Sequence, residues 1–490
     1  MAEKSKTELL RSIKAKAKKT DGTQQKNEGK LTARERIKVL FDEGTFVEVG
    51  ALVRQKTQTM EDALKVSTEG VVTGYGSVDG RLVFAYVQDA TVLNGAVSVM
   101  HAKKIVRIME LAKKAGAVLV GIVDCGGGVL EEGIDLLNAY GDIMTKAMEI
   151  KSSVPQITVV AGYCTGISAM IAQISDVVIM AEKGAKMYLQ AGQCFGIVSD
   201  DFGSAKSALK DGTAHLIAET DKDAIEKAKD VLAFLPDNLL TEAFTEVCED
   251  DVNRGCAVAA SMAESFDYDV KAVVSDIADA ESVLELKSEY AKEAFVAFAR
   301  MDGKAVGFVA NNPKENGGAL TVDAMGKIEE FVNLCDGMNI PVVTLVNTCG
   351  YSFEPAQAKA VMDGAVSLNA VYKSAEVPKV TVIAGKAYGS AYLTMGNGVL
   401  GGDVVFALPN AEVSVINPAG GADIFFTDMI SGAKDPVTGR KKAEEKFKEI
   451  YNNPYVAAAK GLVDDVIDPA ELRPVLATTL DMLASKMDME

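Results

Sequence analysis

Residues 154–170 read VPQITVVAGYCTGISAM, and residues 377–393 read VPKVTVIAGKAYGSAYL. Pro155 and Pro378 stand 223 positions apart, as do Gly162 and Gly385, and Gly166 and Gly389. The register extends upstream. Asp124 of VDCGGG falls opposite Asn347 of VNTCGY, Gly127 opposite Gly350, and Gly80 of DGRLVFAYV opposite Gly303 of DGKAVGFVA. One offset held over that distance marks two copies of one long unit rather than a short-period solenoid. Each copy is a continuous apolar run, then a glycine turn, then small residues able to begin a helix. An apolar run without alternation is a strand covered on both faces, as in a parallel sheet.

The flanking sequence agrees. GVVTGYGSVDGRLVFAYV (70–87) alternates and turns at Asp79-Gly80, which predicts a hairpin. Residues 98–115 have helical periodicity, AVLVGIVD (117–124) is a buried strand, and 133–150 is helical. The second copy repeats this order with AVGFVAN, a helix over 323–337, PVVTLVN, a helix over 356–375, KVTVIA, a helix over 389–396, and DVVFAL. Strands alternating with helices make βαβ units, so the fold class is α/β. The acidic stretch 236–300 reads as helix-rich and as the junction, giving domains 1–250 and 251–490. Thr32 and Glu35 in LTARERIKVLF predict a capping box for a helix ending near Phe41.

The chain has 490 residues, 48% hydrophobic and 24% charged, with a formal net charge of −18. That balance argues against non-specific nucleic-acid binding, which rests on neutralising phosphates with cations. The basic stretch KSKTELLRSIKAKAKK reads as a solvated amphipathic helix, with an anion-holding role as the alternative. Glu3 and Glu8 interrupt it, unlike a transit peptide. Seven cysteines without a CxxC pair, and only two histidines, His101 and His215, predict a reduced cytoplasmic protein with no metal site. Pro155, Gln156, Gln173 and Asp176 interrupt the apolar stretch 154–181, which favours strand–turn–helix over a membrane span.

At the repeated turn, glycine permits positive φ and close approach of a ligand to the main chain. Amides at a helix start have no acceptor within the helix and suit an anion or a developing oxyanion. The candidate donors are Gly166 and Ile167 in the first copy, and Ser390 and Ala391, after Gly389, in the second. The companion turns Gly126, Gly127 and Gly128, and Cys349–Tyr351, are candidate second walls. The alternative is tight packing of helix on strand, which also requires glycine and which a duplication would copy equally. Cys164 and Ser168 read as buried small residues rather than nucleophiles, and Glu131 and Glu132 as helix N-terminal acids. No Walker A, GxSxG or HExxH motif is present. Backbone donors without a strong nucleophile suit enolate chemistry on a thioester.

VPQITVVAG, FVNLCDGMNIPVVTLV, VPKVTVIAGKAYGSAYLTM and GLVDDVI give the chain a family resemblance. From GKLTARERIKVLFDEGTFVEVG (29–50) to AAAKGLVDDVIDP (457–469) it resembles the carboxyltransferase subunits of biotin-dependent acyl-CoA carboxylases and decarboxylases. The resemblance implies two tandem crotonase-like (β-β-α superhelix) domains, with acyl-CoA on the first and biotin on the second domain of a partner copy. It implies that Gly166 and Ile167 serve the thioester oxygen, that Gly389, Ser390 and Ala391 serve biotin, and that Leu393 lines the acyl pocket. Carboxyl would pass between biotin and the α-carbon of a short acyl group. There is no AMKM-type biotinylation site or ATP-binding loop, so biotin is expected on a biotin carboxyl carrier protein. A biotin carboxylase or a membrane decarboxylase subunit would be a further partner, and the assembly a homodimer or trimer of dimers. Departures from the family pattern include Val129 in place of arginine, Glu131 in place of glutamine, Ile167 in place of glycine and Ser390 in place of glycine. A biotin-independent crotonase-like thioester enzyme and an inactive scaffold are the alternatives.

Overall fold

The computed structural model describes residues 5–17, 21–54 and 69–486. It contains two compact units, 1–242 and 243–490. The first holds eight strands: β1 (Val47–Val49), β2 (Val71–Val78), β3 (Arg81–Gln88), β4 (Val118–Cys125), β5 (Gln156–Thr165), β6 (Val177–Ala181), β7 (Lys186–Tyr188) and β8 (Leu216–Ala218). Their order is β1-β2-β3-β4-β5-β6-β8, with β7 beside the end of β5. The β1-β2-β3 edge is antiparallel and the rest parallel. The second unit repeats this with β9 (Leu284–Leu286), β10 (Ala294–Met301), β11 (Lys304–Asn311), β12 (Val342–Thr348), β13 (Lys379–Tyr388), β14 (Val404–Ala407), β15 (Glu412–Ser414) and β16 (Asp465–Val466). Its order is β16-β14-β13-β12-β11-β10-β9, with β15 beside β13.

The predicted hairpin joins β2 to β3, and its turn residues Asp79 and Gly80 have φ of 49° and 80°. Positive φ at both central positions matches the right-handed twist of the strands. Asp302 and Gly303 repeat it at 52° and 76°. The predicted strands and helices fall where expected: Val99–Ala115 and Ile134–Lys151 in the first unit, Val322–Gly337 and Ala358–Ser374 in the second. β4 is buried along its whole length, as a strand covered on both faces must be. Thr32 and Glu35 form the predicted capping box on the Ala33–Leu40 helix. The 236–300 stretch differs from expectation. It holds only short helices, while β9 and β10 occupy its C-terminal end. Acidic composition alone carries no periodicity, and β10 is an apolar run, interrupted by Arg300, of the kind that marks a strand buried on both faces.

The duplication reaches the polar interior. Gln88 Oε1 accepts from the Asp124 N–H at 3.2 Å, and Asn311 Oδ1 from the Asn347 N–H at 3.1 Å. Asp124 Oδ1 accepts from the Tyr163 N–H, and Asn347 Oδ1 from the Lys386 N–H. Two buried lysines repeat as well. Lys104 donates to the Val71 carbonyl, and Lys327 donates at 2.7 Å to the equivalent Ala294 carbonyl. Every one of these pairs is related by the offset seen in the sequence.

Candidate active site

In the first unit, β5 ends at Thr165 and the chain turns through Gly166, φ +61°, into the Ile167–Ile174 helix. In the second, β13 ends at Tyr388 and Gly389, φ +57°, begins the Gly389–Thr394 helix. A Cβ on Gly166 would meet nothing within 4 Å, and one on Gly389 only the Val415 carbonyl at 3.4 Å. Packing does not require glycine at either turn; the backbone angle does. The reverse holds at Gly162 and Gly385. There a Cβ would lie 1.8 Å from Asp124 Oδ1 and 2.5 Å from Asn347 Oδ1. The repeated stretch thus contains both kinds of glycine, one packed against a side chain and one open.

The turn in the first unit borders a cavity of about 610 Å³, lined among others by Gln25, Lys30, Asp124, Gly126, Tyr163 and Gly166. Gly126 and Gly166, singled out from sequence, therefore share one cavity. Gly127 has φ +131° and open space at its Cβ position, whereas Gly128 packs against Leu136. The Gly166 N–H donates to the Tyr188 carbonyl at 3.0 Å. Of the first candidate pair, Ile167 keeps an amide with no acceptor inside its helix, and Ser168 is its neighbour in that turn. By the repeat offset these two correspond to Ser390 and Ala391.

Cys164 and Ser168 are buried, and burial pushes the Cys164 thiol up, away from the nucleophilic thiolate. Glu132 caps a helix other than its own, accepting from the Val99 N–H at 2.7 Å. Leu393 is 38% exposed, on the Gly389–Thr394 helix of the second unit.

Several site residues carried no sequence motif. Arg36, 1% exposed, donates from Nη2 to Asp124 Oδ2 and from Nε to Asp221 Oδ2, each at 2.9 Å. In the second unit, Tyr388 OH donates to Glu412, whose other oxygen pairs with Lys448 at 2.6 Å. Burial and the Glu412 carboxylate push the Tyr388 phenol up, which keeps it a donor. Tyr351 of the companion turn bonds Thr394 Oγ1 at 2.7 Å, tying that turn to the helix after Gly389. The one clue was the offset, which had already placed Asp124 opposite Asn347. Among the described residues no group of three or more His, Cys, Asp or Glu could hold a metal ion, and no helix is long and apolar enough to cross a membrane.

Paired α/β units whose equivalent strands end in amide-bearing turns are the scaffold that this chain presents, and comparison assigns its family. Residues 24–489 match the carboxyl transferase domain model, and the chain belongs to that family. It is 38% identical to the methylmalonyl-CoA decarboxylase subunit alpha of Propionigenium modestum, covering 94% of this chain and 91% of that one. It is 34% identical to the biotin-dependent acetyl-/propionyl-coenzyme A carboxylase beta5 subunit of Mycobacterium tuberculosis, over 94% and 88%. Its structure matches the hexameric transcarboxylase 12S crystal structure with hydrolysed methylmalonyl-coenzyme A bound. That match has a TM-score of 0.91 and 36% identity, and covers 99% and 96% of the two chains. The architecture is accordingly that of two tandem crotonase-like domains.

Proposed function

We propose that this chain is the carboxyltransferase subunit of a biotin enzyme, moving a carboxyl group between biotin on a separate carrier chain and the α-carbon of a short-chain acyl-CoA. The observation that carries the reading is the repeated turn. Two equivalent strand ends, each with an open glycine at positive φ, supply main-chain donors twice in one chain. The reaction builds charge on two oxygens, the thioester oxygen as enolate and the ureido oxygen of biotin, so two donor sites are needed.

The first unit takes the acyl-CoA. The Ile167 amide, with that of Ser168 beside it, receives the thioester oxygen. Gly166 supplies the turn rather than a donor, since its N–H is committed to Tyr188. Gly126, Gly127 and Gly128 form the opposing wall, and the Ile167 side chain, where the family pattern has glycine, narrows the hole. The second unit takes biotin. A ureido oxygen is an acceptor that fits the Ser390 and Ala391 amides, and Gly389 supplies the positive φ of the turn that presents them. Biotin, when bound, supplies the ureido nitrogen that carries the carboxyl group. Tyr388, held by Glu412, and Thr394, held by Tyr351, fix the turn that presents those amides. Two copies of the chain pair so that the first unit of one serves the second unit of the other, with Leu393 forming part of the acyl wall. The carrier protein, and a biotin carboxylase or a membrane decarboxylase subunit, complete the cytoplasmic assembly.

The test is incubation of the pure chain with free biotin and methylmalonyl-CoA or malonyl-CoA. Biotin-dependent CO2 release is expected. Turnover independent of biotin would make it a stand-alone thioester enzyme. Binding without turnover would make it a scaffold.

A further inference from the structure

We propose that Lys30 is the side chain of the first unit that receives an anionic oxygen of the ligand, a phosphate or a carboxylate, and that Arg36 is the positioning residue that holds it there. The inference rests on the reading that this cavity takes an acyl-CoA.

Lys30 is the only cationic side chain among the described residues lining the cavity. It is 8% exposed, which is unusual for an ammonium. Its Nζ lies 5.8 Å from the centre of the Tyr163 ring and 2.9 Å from Glu28 Oε2. Glu28 is largely exposed, at 43%, so an incoming anion can displace it at small cost. A second group in the same wall also awaits a partner. The Gln25 side chain is 5% exposed, lines the cavity, and its Oε1 has no hydrogen-bond partner. Turned over, that amide would offer the cavity a donor.

The segment bearing Lys30 is held by a buried charge cluster. The Leu31 N–H donates to Asp221 Oδ2 at 2.9 Å, the same oxygen that accepts from Arg36 Nε. Arg36 also reaches Asp124 in the cavity wall and the Ala161 carbonyl of β5. One guanidinium therefore ties the Lys30 segment to the strand ends that form the cavity. The second unit solves the same problem without a cation on its strap. There Asn347 Nδ2 donates to the Phe266 carbonyl, and Lys386, equivalent to Tyr163, lies over the Phe266 ring. At the position of Asp124 the second unit thus has an amide, Asn347, in place of the carboxylate that Arg36 holds.

Calorimetric titration of the full chain with propionyl-CoA tests this. Lys30→Met should raise Kd about 10- to 100-fold, the range of a charge-assisted hydrogen bond. Glu28→Gln, which removes the competitor, should lower it, and neither should move Tm by more than a few degrees. Propionyl-pantetheine, which lacks phosphate, and methylmalonyl-pantetheine, which adds a carboxylate, separate the two sources. A Lys30→Met penalty confined to CoA thioesters identifies phosphate, and one retained with methylmalonyl-pantetheine identifies the carboxylate. An equal penalty on propionyl-pantetheine, or none on any ligand, overturns the assignment. For Arg36, the cycle Arg36→Lys with Lys30→Met should be non-additive, the double variant binding no worse than Lys30→Met alone. Where Arg36→Lys does not fold, Asp221→Asn, which leaves one arginine and one aspartate, replaces it. Additive losses would reduce Arg36 to a structural role. Failure of the wild-type chain to bind any acyl-CoA would instead remove the function proposed above.

Discussion

Gly162 and Gly166 lie four residues apart and look alike in the sequence, yet the physics at the two positions is opposite. An alanine methyl at Gly162 would collide with the Asp124 carboxylate, which is pinned by Arg36. Gly162→Ala should therefore cost at least about 3 kcal/mol of stability, at the severe end of overpacking. Gly385→Ala, against the neutral Asn347, should cost less. Gly166→Ala meets no atom and should cost only about 1–3 kcal/mol for its positive-φ backbone. Urea unfolding of the three variants checks this order; equal losses would contradict it. The sequence showed that glycine mattered at these positions but not why. What separates them is a side chain arriving from β4, and no local pattern records that arrival.

The Ala33–Leu40 helix begins with Thr32 and Glu35 capping one another, and its Arg36 enters the buried cluster. Thr32→Ala should cost about 1 kcal/mol by losing the cap, read as a lower unfolding midpoint. The Val99–Ala115 helix buries His101 completely. Burial, with Lys104 adding to it, lowers its pKa from 6.5 to about 3. The unfolded chain therefore binds a proton below about pH 6.5 that the native state refuses. Stability is fully present above that pH and is lost as pH falls toward 3. His101→Gln should flatten the wild-type decline between pH 7 and pH 4 in urea unfolding. A parallel decline in both proteins would contradict this. Most elements were legible because apolar runs, glycine turns and the capping box are local signals. The buried cluster was not, since Arg36 meets partners 88 and 185 residues away. Nor was β10, although the offset of 223 places Ala294 opposite Val71 of β2, because the 236–300 stretch was read from its acidic composition.

The whole chain reads as one enzyme half written twice, with different ligands assigned to the copies. If acyl-CoA and biotin sit on different units of different copies, the working form is at least a homodimer. Light scattering should find no active monomer, and a monomer with full turnover would contradict it. If Leu393 lines the acyl wall, as proposed, short apolar acyl groups should be preferred over those with a distal carboxylate. Acetyl and propionyl should differ by only about 1–3 kcal/mol, measured as kcat/KM. A preference for a glutaconyl-type group would oppose this. The division of labour between the two turns is tested most directly by the pair Gly166→Val and Gly389→Val, assayed for acyl-CoA affinity and biotin-dependent turnover. Loss of one oxyanion donor typically costs about 10²–10³ in rate. The expected result is that Gly166→Val weakens acyl-CoA binding, while Gly389→Val leaves acyl-CoA binding nearly intact and loses biotin-dependent turnover by about that factor. Equal loss of acyl-CoA binding in both variants, with equal loss of thermal stability, would show that the two turns are structural copies and not two different sites.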